Sequence, residues 1–261
     1  MTDHGSPTVI VPYAGPAEDP NDQDVFVYLR PETNGVLVES TIMQVIRACS
    51  EESYRPLKLL YLANIPGEYI VRHHVVERYY QLKLHFAVHG AQAFTGPMKR
   101  VFEERYGVPF SEAHIIGAFE AIREMQISPD DLFRMWVPGK DVLLVAGQCI
   151  KRLGERYVVN YDMPALLHKN NSGTDIAAMA FRTSAGYDYL NDVTERIREA
   201  LVRNEVLTPR AHASRAFHFS KGPFEALNDG LGYLTFSDGR EPVLDDLTFT
   251  RHMRSAGWTN D

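Results

Sequence analysis

One run of seven residues constrains the fold more than any other stretch. Asp24-Val25-Phe26-Val27-Tyr28-Leu29-Arg30 is β-branched and aromatic with almost no polar interruption. A strand that faces water on one side alternates apolar with polar residues. An unbroken apolar strand is one covered on both faces. The run therefore predicts a central strand in a layered α and β protein. Pro31-Glu32-Thr33-Asn34-Gly35 ends it with turn chemistry. Helical spacing follows from Val38 to Ser50, through Ile42, Met43, Val45 and Ile46, and Leu57 to Asn64 reads as a second strand. If the two strands share a sheet, the crossover helix makes them parallel.

Downstream, Tyr69 to His89 reads as one long helix. A shorter helix starts at Gly96-Pro97 and stops near Gly107. Ser111 reads as the N-cap of a helix to Gln126, and Ser128-Pro129-Asp130-Asp131 opens another. Strands are expected at Asp141–Gln148 and Arg156–Tyr161, the latter with an extension toward His168, and at Asp175–Arg182. The closing helix runs from Tyr187 to Asn204, with Leu190, Val193, Ile197 and Leu201 on one face. Tyr233 to Arg240 holds an Asp-Gly hairpin turn. This order predicts an α+β, ferredoxin-like fold: a mainly antiparallel sheet, helices on one face, extra helices inserted and a C-terminal appendage. The expected divisions are an N-terminal arm at 1–23, a main domain at 24–207 with a helical insertion near 108–138, and the appendage at 208–261.

Composition narrows the partners. With 27 Lys and Arg against 34 Asp and Glu, the chain carries a net charge of −7. That balance argues against an extended nucleic-acid surface, which needs clustered cations. It leaves room for a small anion in a local pocket. No apolar run approaches the roughly 18 residues of a membrane span. The N-terminus lacks the pattern of a signal peptide, and the two cysteines, Cys49 and Cys149, have no CxxC spacing. A cytoplasmic protein without membrane partners is expected. No GxxxxGK[ST], GxGxxG or GxSxG motif occurs. His85 and His89 share a helix face but lack a partnering carboxylate, so no metal site is expected.

Several segments together resemble the nucleoside diphosphate kinase family. Phe26-Val27-Tyr28-Leu29-Arg30-Pro31-Glu32 resembles its first strand, which ends in Lys-Pro-Asp. The Val38–Ile46 helix, the strand ending near Ala63, Arg78-Tyr79-Tyr80 and Phe94-Thr95-Gly96-Pro97-Met98 follow in the family's order. The likeness covers residues 24–107 and, more loosely, 141–200. It implies that Arg30, Arg100, Arg105 and Arg182 hold phosphates, that Tyr80 and Phe94 contact a base, and that Mg²⁺ accompanies a nucleotide. The chain departs from the family at the catalytic centre. The Asn-x-x-His-Gly-Ser-Asp motif is missing, and Arg30 stands where the family has Lys. In one placement Thr183-Ser184-Ala185-Gly186 closes the last strand and the histidine is absent. In the other, His168 followed by Asn170-Asn171-Ser172-Gly173-Thr174-Asp175 is a displaced version. The first is preferred, because Tyr187–Asn204 supplies the helix that must follow the last strand.

Two basic segments lie outside that motif. Lys99-Arg100 and Arg105 flank the helix after Gly96, and Lys151-Arg152-Leu153-Gly154-Glu155-Arg156 is a basic turn between strands. Either suits a phosphate or a solvated surface. Three functions are carried forward. The first is binding of a nucleotide or other small phosphorylated ligand without phosphohistidine chemistry. The second is an active phosphotransferase using His168. The third is a structural or regulatory assembly protein whose aromatic tail docks on a partner or on a second copy of the chain, the latter making a homo-oligomer.

Overall fold

The computed structural model describes residues 5–53 and 56–259. The first four residues of the expected arm and the last two of the tail lie outside them. The elements up to residue 75 are β1 (Thr8–Val11), β2 (Gln23–Leu29), α1 (Val36–Glu52), β3 (Lys58–Ile65) and α2 (Gly67–Arg72). There follow α3 (Val75–Tyr79), α4 (Gln81–His89), α5 (Gly96–Tyr106), β4 (His114–Gly117), α6 (Ala118–Met125) and α7 (Pro129–Arg134). Next come β5 (Val142–Val145), β6 (Gln148–Leu153), β7 (Arg156–Val159) and α8 (Met163–Lys169). The chain closes with β8 (Ile176–Thr183), α9 (Tyr187–Arg203), β9 (Phe217–Phe219), α10 (Pro223–Tyr233) and α11 (Thr248–Ser255). It is a mixed α+β protein with two open sheets, divided into two compact units. One holds residues 5–75 and 171–259, the other residues 76–170. The helical insertion expected near 108–138 lies inside that second unit, which also has strands.

The first unit is built on a five-stranded antiparallel sheet in the order β1-β3-β8-β2-β9. β2 and β3 run in the same direction with β8 between them. The apolar run behaves as its composition demands, since every residue from Asp24 to Leu29 is buried. Val25, Val27 and Leu29 face one layer, where α1 contributes Val38, Ile42 and Ile46 and α9 contributes Leu190, Val193, Ile197 and Leu201. The expectation of helices on one face needs correction. Phe26 and Tyr28 point to the other side, where α10 covers them. Tyr28 stacks on Tyr233 at 4.1 Å and on His218 at 4.4 Å, and a Cβ on Gly230 would meet the Phe26 ring at 3.1 Å. β9 comes from the expected appendage and joins the sheet.

The second unit has a four-stranded mixed sheet in the order β4-β7-β6-β5, with β4 and β7 parallel. One face packs on α5 through Phe102, Ile150, Tyr157 and Val159. The other packs on α4, α6, α7 and α8 through Ala87, Ala121, Leu132, Val158 and Met163. Several expectations change here. The long 69–89 helix is three helices, broken at His74, whose φ is +50°, and at Tyr80. The helix expected from Ser111 begins only at Ala118, because His114–Gly117 pairs with β7. The strand expected over 141–148 is split by a turn at Ala146-Gly147, both at positive φ. The extension toward His168 is helical, with Pro164 in its first turn. Among the described residues, no helix is long and apolar enough to cross a membrane.

Candidate functional site

The site is a cleft of the second unit, and the packing of α5 creates it. Met98 and Phe102 bury one face of that helix, and Gly107 closes it in the left-handed region at φ +65°. Tyr106, one turn after Phe102, lies 4.8 Å from Tyr157 of β7. Arg152 is the cross-strand partner of Tyr157, and its guanidinium sits 5.8 Å from that ring. Docking the aromatic face of α5 on Tyr157 therefore brings Arg105 beside Arg152. Arg105 also holds the turn before β5, donating from Nη2 to the carbonyls of Gly139 at 2.9 Å and Val142 at 3.2 Å. That turn presents Lys140.

Arg105, Tyr106, Lys140, Asp141, Arg152 and Gly154 line the resulting cleft of about 480 Å³. Three cations face one carboxylate. Asp141 Oδ1 lies 3.9 Å from Arg152 Nη1, and Arg152 is half exposed. A pair this long and wet does little to neutralise the cleft. Among the described residues the Lys140 amine and the Nε and Nη1 groups of Arg105 have no hydrogen-bond or ion-pair partner. Burial pushes the Tyr106 phenol up to about 12, so it keeps its proton. Fixed N–H donors around an open volume suit a polyoxyanion.

The two basic segments singled out in the sequence thus meet at this cleft, through Arg105 and Arg152. The other candidates lie elsewhere. Arg100 is exposed on α5 and does not line the cleft. Phe94 is 5% exposed, with its ring 5.6 Å from Phe86 and 5.1 Å from Phe110, so it has no free face for a base. Tyr80 is half-buried against the opposite layer, beneath the Lys83 amine at 6.0 Å. His168 is exposed on α8, which packs on the sheet face away from α5. The sheet separates it from the cleft. Arg30 and Arg182 belong to the first unit. Arg30 donates to Ser214 O at 3.1 Å. Arg182 donates to Asp24 at 2.8 and 3.1 Å and to Gly15 O at 2.6 Å. Asp24 also accepts from Tyr13 and Thr248, each at 2.6 Å. Arg182 is consumed by this buried network, which fastens residues 13–15 and α11 to the sheet.

Sequence reasoning missed Lys140 and Tyr106. Lys140 follows a Pro-Gly break and carries no motif. Tyr106 shows itself only as the residue four after a buried Phe. Two further polar groupings are structural. His218 Nε2 lies 2.9 Å from Asp229 Oδ2, and Ser220 donates to the same oxygen at 2.7 Å. The serine gives its proton to the carboxylate and not to the imidazole, so no nucleophile is set up. Lys151, almost fully buried, donates to Met135 O at 2.5 Å and lies 3.6 Å above the Tyr161 ring. Burial lowers its pKa. His85 and His89 lie 4.5 Å apart, and no group of three His, Cys, Asp or Glu able to hold a metal occurs among the described residues. No protein-family model, curated protein or solved structure matches the chain.

Proposed function

We propose that the chain binds a small phosphorylated ligand, a nucleotide or smaller, in the cleft of the second unit. The observation that carries the reading is the convergence of Arg105, Lys140 and Arg152 on one open volume with a single weakly paired acid. Arg152 and Arg105 supply planar donor forks and Lys140 a mobile charge, while the Tyr106 hydroxyl is directed to the Asp141 carbonyl at 3.5 Å. The proposal is one of binding. The phosphotransferase alternative draws no support from His168, which lies across the sheet from these cations. Mg²⁺ would arrive with a nucleotide, bound to its phosphates.

The ferredoxin-like, nucleoside-diphosphate-kinase-like reading of the first unit belongs to the same proposal. Its support is the order β2-α1-β3 and β8-α9-β9 with strands arranged β9-β2-β8-β3, α1 and α9 sharing one face. The cleft belongs to the inserted unit, so the phosphate reading rests on its own three cations and not on that likeness.

Thermal unfolding at low salt with Mg²⁺ and ATP, GTP or inorganic pyrophosphate tests it. At ligand tenfold above Kd, stabilisation is about 1.4 kcal/mol. The double variant Lys140→Ala/Arg152→Ala should lose that shift, and His168→Ala should keep it. No shift with any of the three ligands overturns the proposal. So does a shift that survives the double variant.

A further inference from the structure

We propose that β9 forms the floor of a slot that takes an extended, acidic peptide segment of a partner protein as an added strand of the first sheet. This goes beyond the phosphate reading and does not depend on it.

β9 is the last strand of its sheet, so one of its edges has no strand beside it. Ser220 N donates to Phe26 O at 3.0 Å and Arg30 N to Ala216 O at 2.9 Å. Residues 216, 218 and 220 therefore spend their main-chain groups on β2. Alternation turns the N–H and C=O of Phe217 and Phe219 away from it. Among the described residues those groups have no hydrogen-bond partner. An ordinary bare edge lies open to water. This one does not: Phe217 is 1% exposed and Phe219 5%. The strand lies at the bottom of a cleft of about 460 Å³, walled by α9 and residues 209–214. Unpaired main-chain groups in so enclosed a place are costly, and a row of donors and acceptors at strand spacing satisfies them.

The charge of the rim selects the occupant. Arg198 is tied to Glu195 at 2.5 Å, and Glu225 accepts from the Lys221 main-chain N at 2.6 Å, whereas the Arg210 guanidinium and the Lys221 amine form no ion pair among the described residues. A chain of net charge −7 thus turns unpaired cations toward this strand edge. A second copy of β9 would set Arg210 and Lys221 against their own kind. An acidic strand meets them with opposite charge, while its backbone pairs with Phe217 and Phe219.

The probe is a fluorescein-labelled decapeptide of alternating Glu and Val, titrated into the full chain at low salt and read by anisotropy. Saturable binding is expected, at least tenfold tighter than for the matching Lys/Val peptide. The variant Arg210→Glu/Lys221→Glu should weaken it at least tenfold, with circular dichroism confirming that the variant is folded. N-methylation of one alternate set of peptide amides should abolish binding, and methylation of the other set should not. By NMR, exchange of the Phe217 and Phe219 amides should slow at least tenfold when peptide is added. The Lys140→Ala/Arg152→Ala variant should bind the peptide as the unaltered chain does. Absence of binding, equal binding of the Glu and Lys peptides, equal effects of the two methylated sets, or unchanged exchange at Phe217 and Phe219 would each overturn the proposal.

Discussion

Arg182 in the first unit and Arg105 in the second are both sequence candidates for holding phosphate, and folding treats them differently. Arg182 lies on β8 beside β2, where the register sets it directly opposite Asp24. Burial works against its charge, but the hydrogen bonds and charge of Asp24 outweigh that and raise its pKa. The acid also takes the Tyr13 and Thr248 hydroxyls, and burial, reinforced by Asp24, pushes the Tyr13 phenol upward. Arg105 stands in the last turn of a helix whose other face is buried. Its bonds go to neutral carbonyls, which leave the positive charge in place. Counting arginines in a sequence therefore says little about which of them can meet a ligand. What decides is whether the fold delivers a carboxylate, and the one delivered to Arg182 stands 158 residues earlier in the chain.

The largest effect that can break this comparison is expected at Asp24. Asp24→Ala leaves a largely buried guanidinium unpaired and removes the acceptor of two hydroxyls. A loss of about 3–5 kcal/mol is expected in urea unfolding. A loss below about 1 kcal/mol would mean that Arg182 is as available as Arg105. Next comes Gly117 of the second unit, where a Cβ would stand 2.1 Å from Ala87 O. Main chain must shift to admit it, at a cost of about 1–3 kcal/mol. Segment-resolved hydrogen exchange should show faster opening in residues 76–170 than in β2 and β8. Uniform acceleration would show that the two units open together.

A graded loss is expected in alkali. Burial pushes Tyr61 of the first unit and Tyr106 of the second up to about 12, from an ordinary value of 10.0. The fold favours their neutral forms. Their contribution is complete below pH 10 and drains away as pH rises from 10 toward 12. Melting temperatures should fall across that window, and Tyr61→Phe and Tyr106→Phe should each flatten the fall. A flat profile between pH 10 and 12 would contradict the burial of both phenols. The smallest effect on stability is expected at the cleft itself. Lys140→Ala and Arg152→Ala should each change unfolding free energy by no more than about 0.5 kcal/mol, while weakening pyrophosphate binding in titration calorimetry. A large loss of stability from either would give these cations a structural role like that of Arg182.

Elements whose signals are local were legible in the sequence. The apolar face of α9, the β2 run and the Ser128 cap are examples, and Ser128 closes a capping box with Asp131. The misses share a physical cause. Ile115 and Ile116 fit a helical stripe as well as a strand, and only the parallel partner β7 decides between them. Ala146-Gly147 turns a hairpin without the Asn or Asp that usually announces one. Asp238-Gly239 has that signal. Gly239 N donates to Phe236 O at 2.9 Å, yet no strands flank the turn. For the site, the sequence showed Arg105 and the basic turn holding Arg152 as separate features. Their meeting depends on Tyr106 and Phe102 docking on Tyr157, a tertiary contact that no spacing announces.

The order of the strands also sets a timetable for synthesis. Ile65 at the end of β3 pairs with Ile176 at the start of β8, and Lys58 pairs with Arg182. The whole second unit is made between these partners. At about 5–20 residues per second, the ribosome needs on the order of ten seconds to cover that interval. Throughout it β2 and β3 lack the strand that joins them, whereas by its end residues 76–170 hold every strand of their own sheet. The inserted unit is thus the part of the nascent chain that can fold first. The larger sheet, although it starts earlier in the sequence, is completed by non-local pairings that close late and slowly.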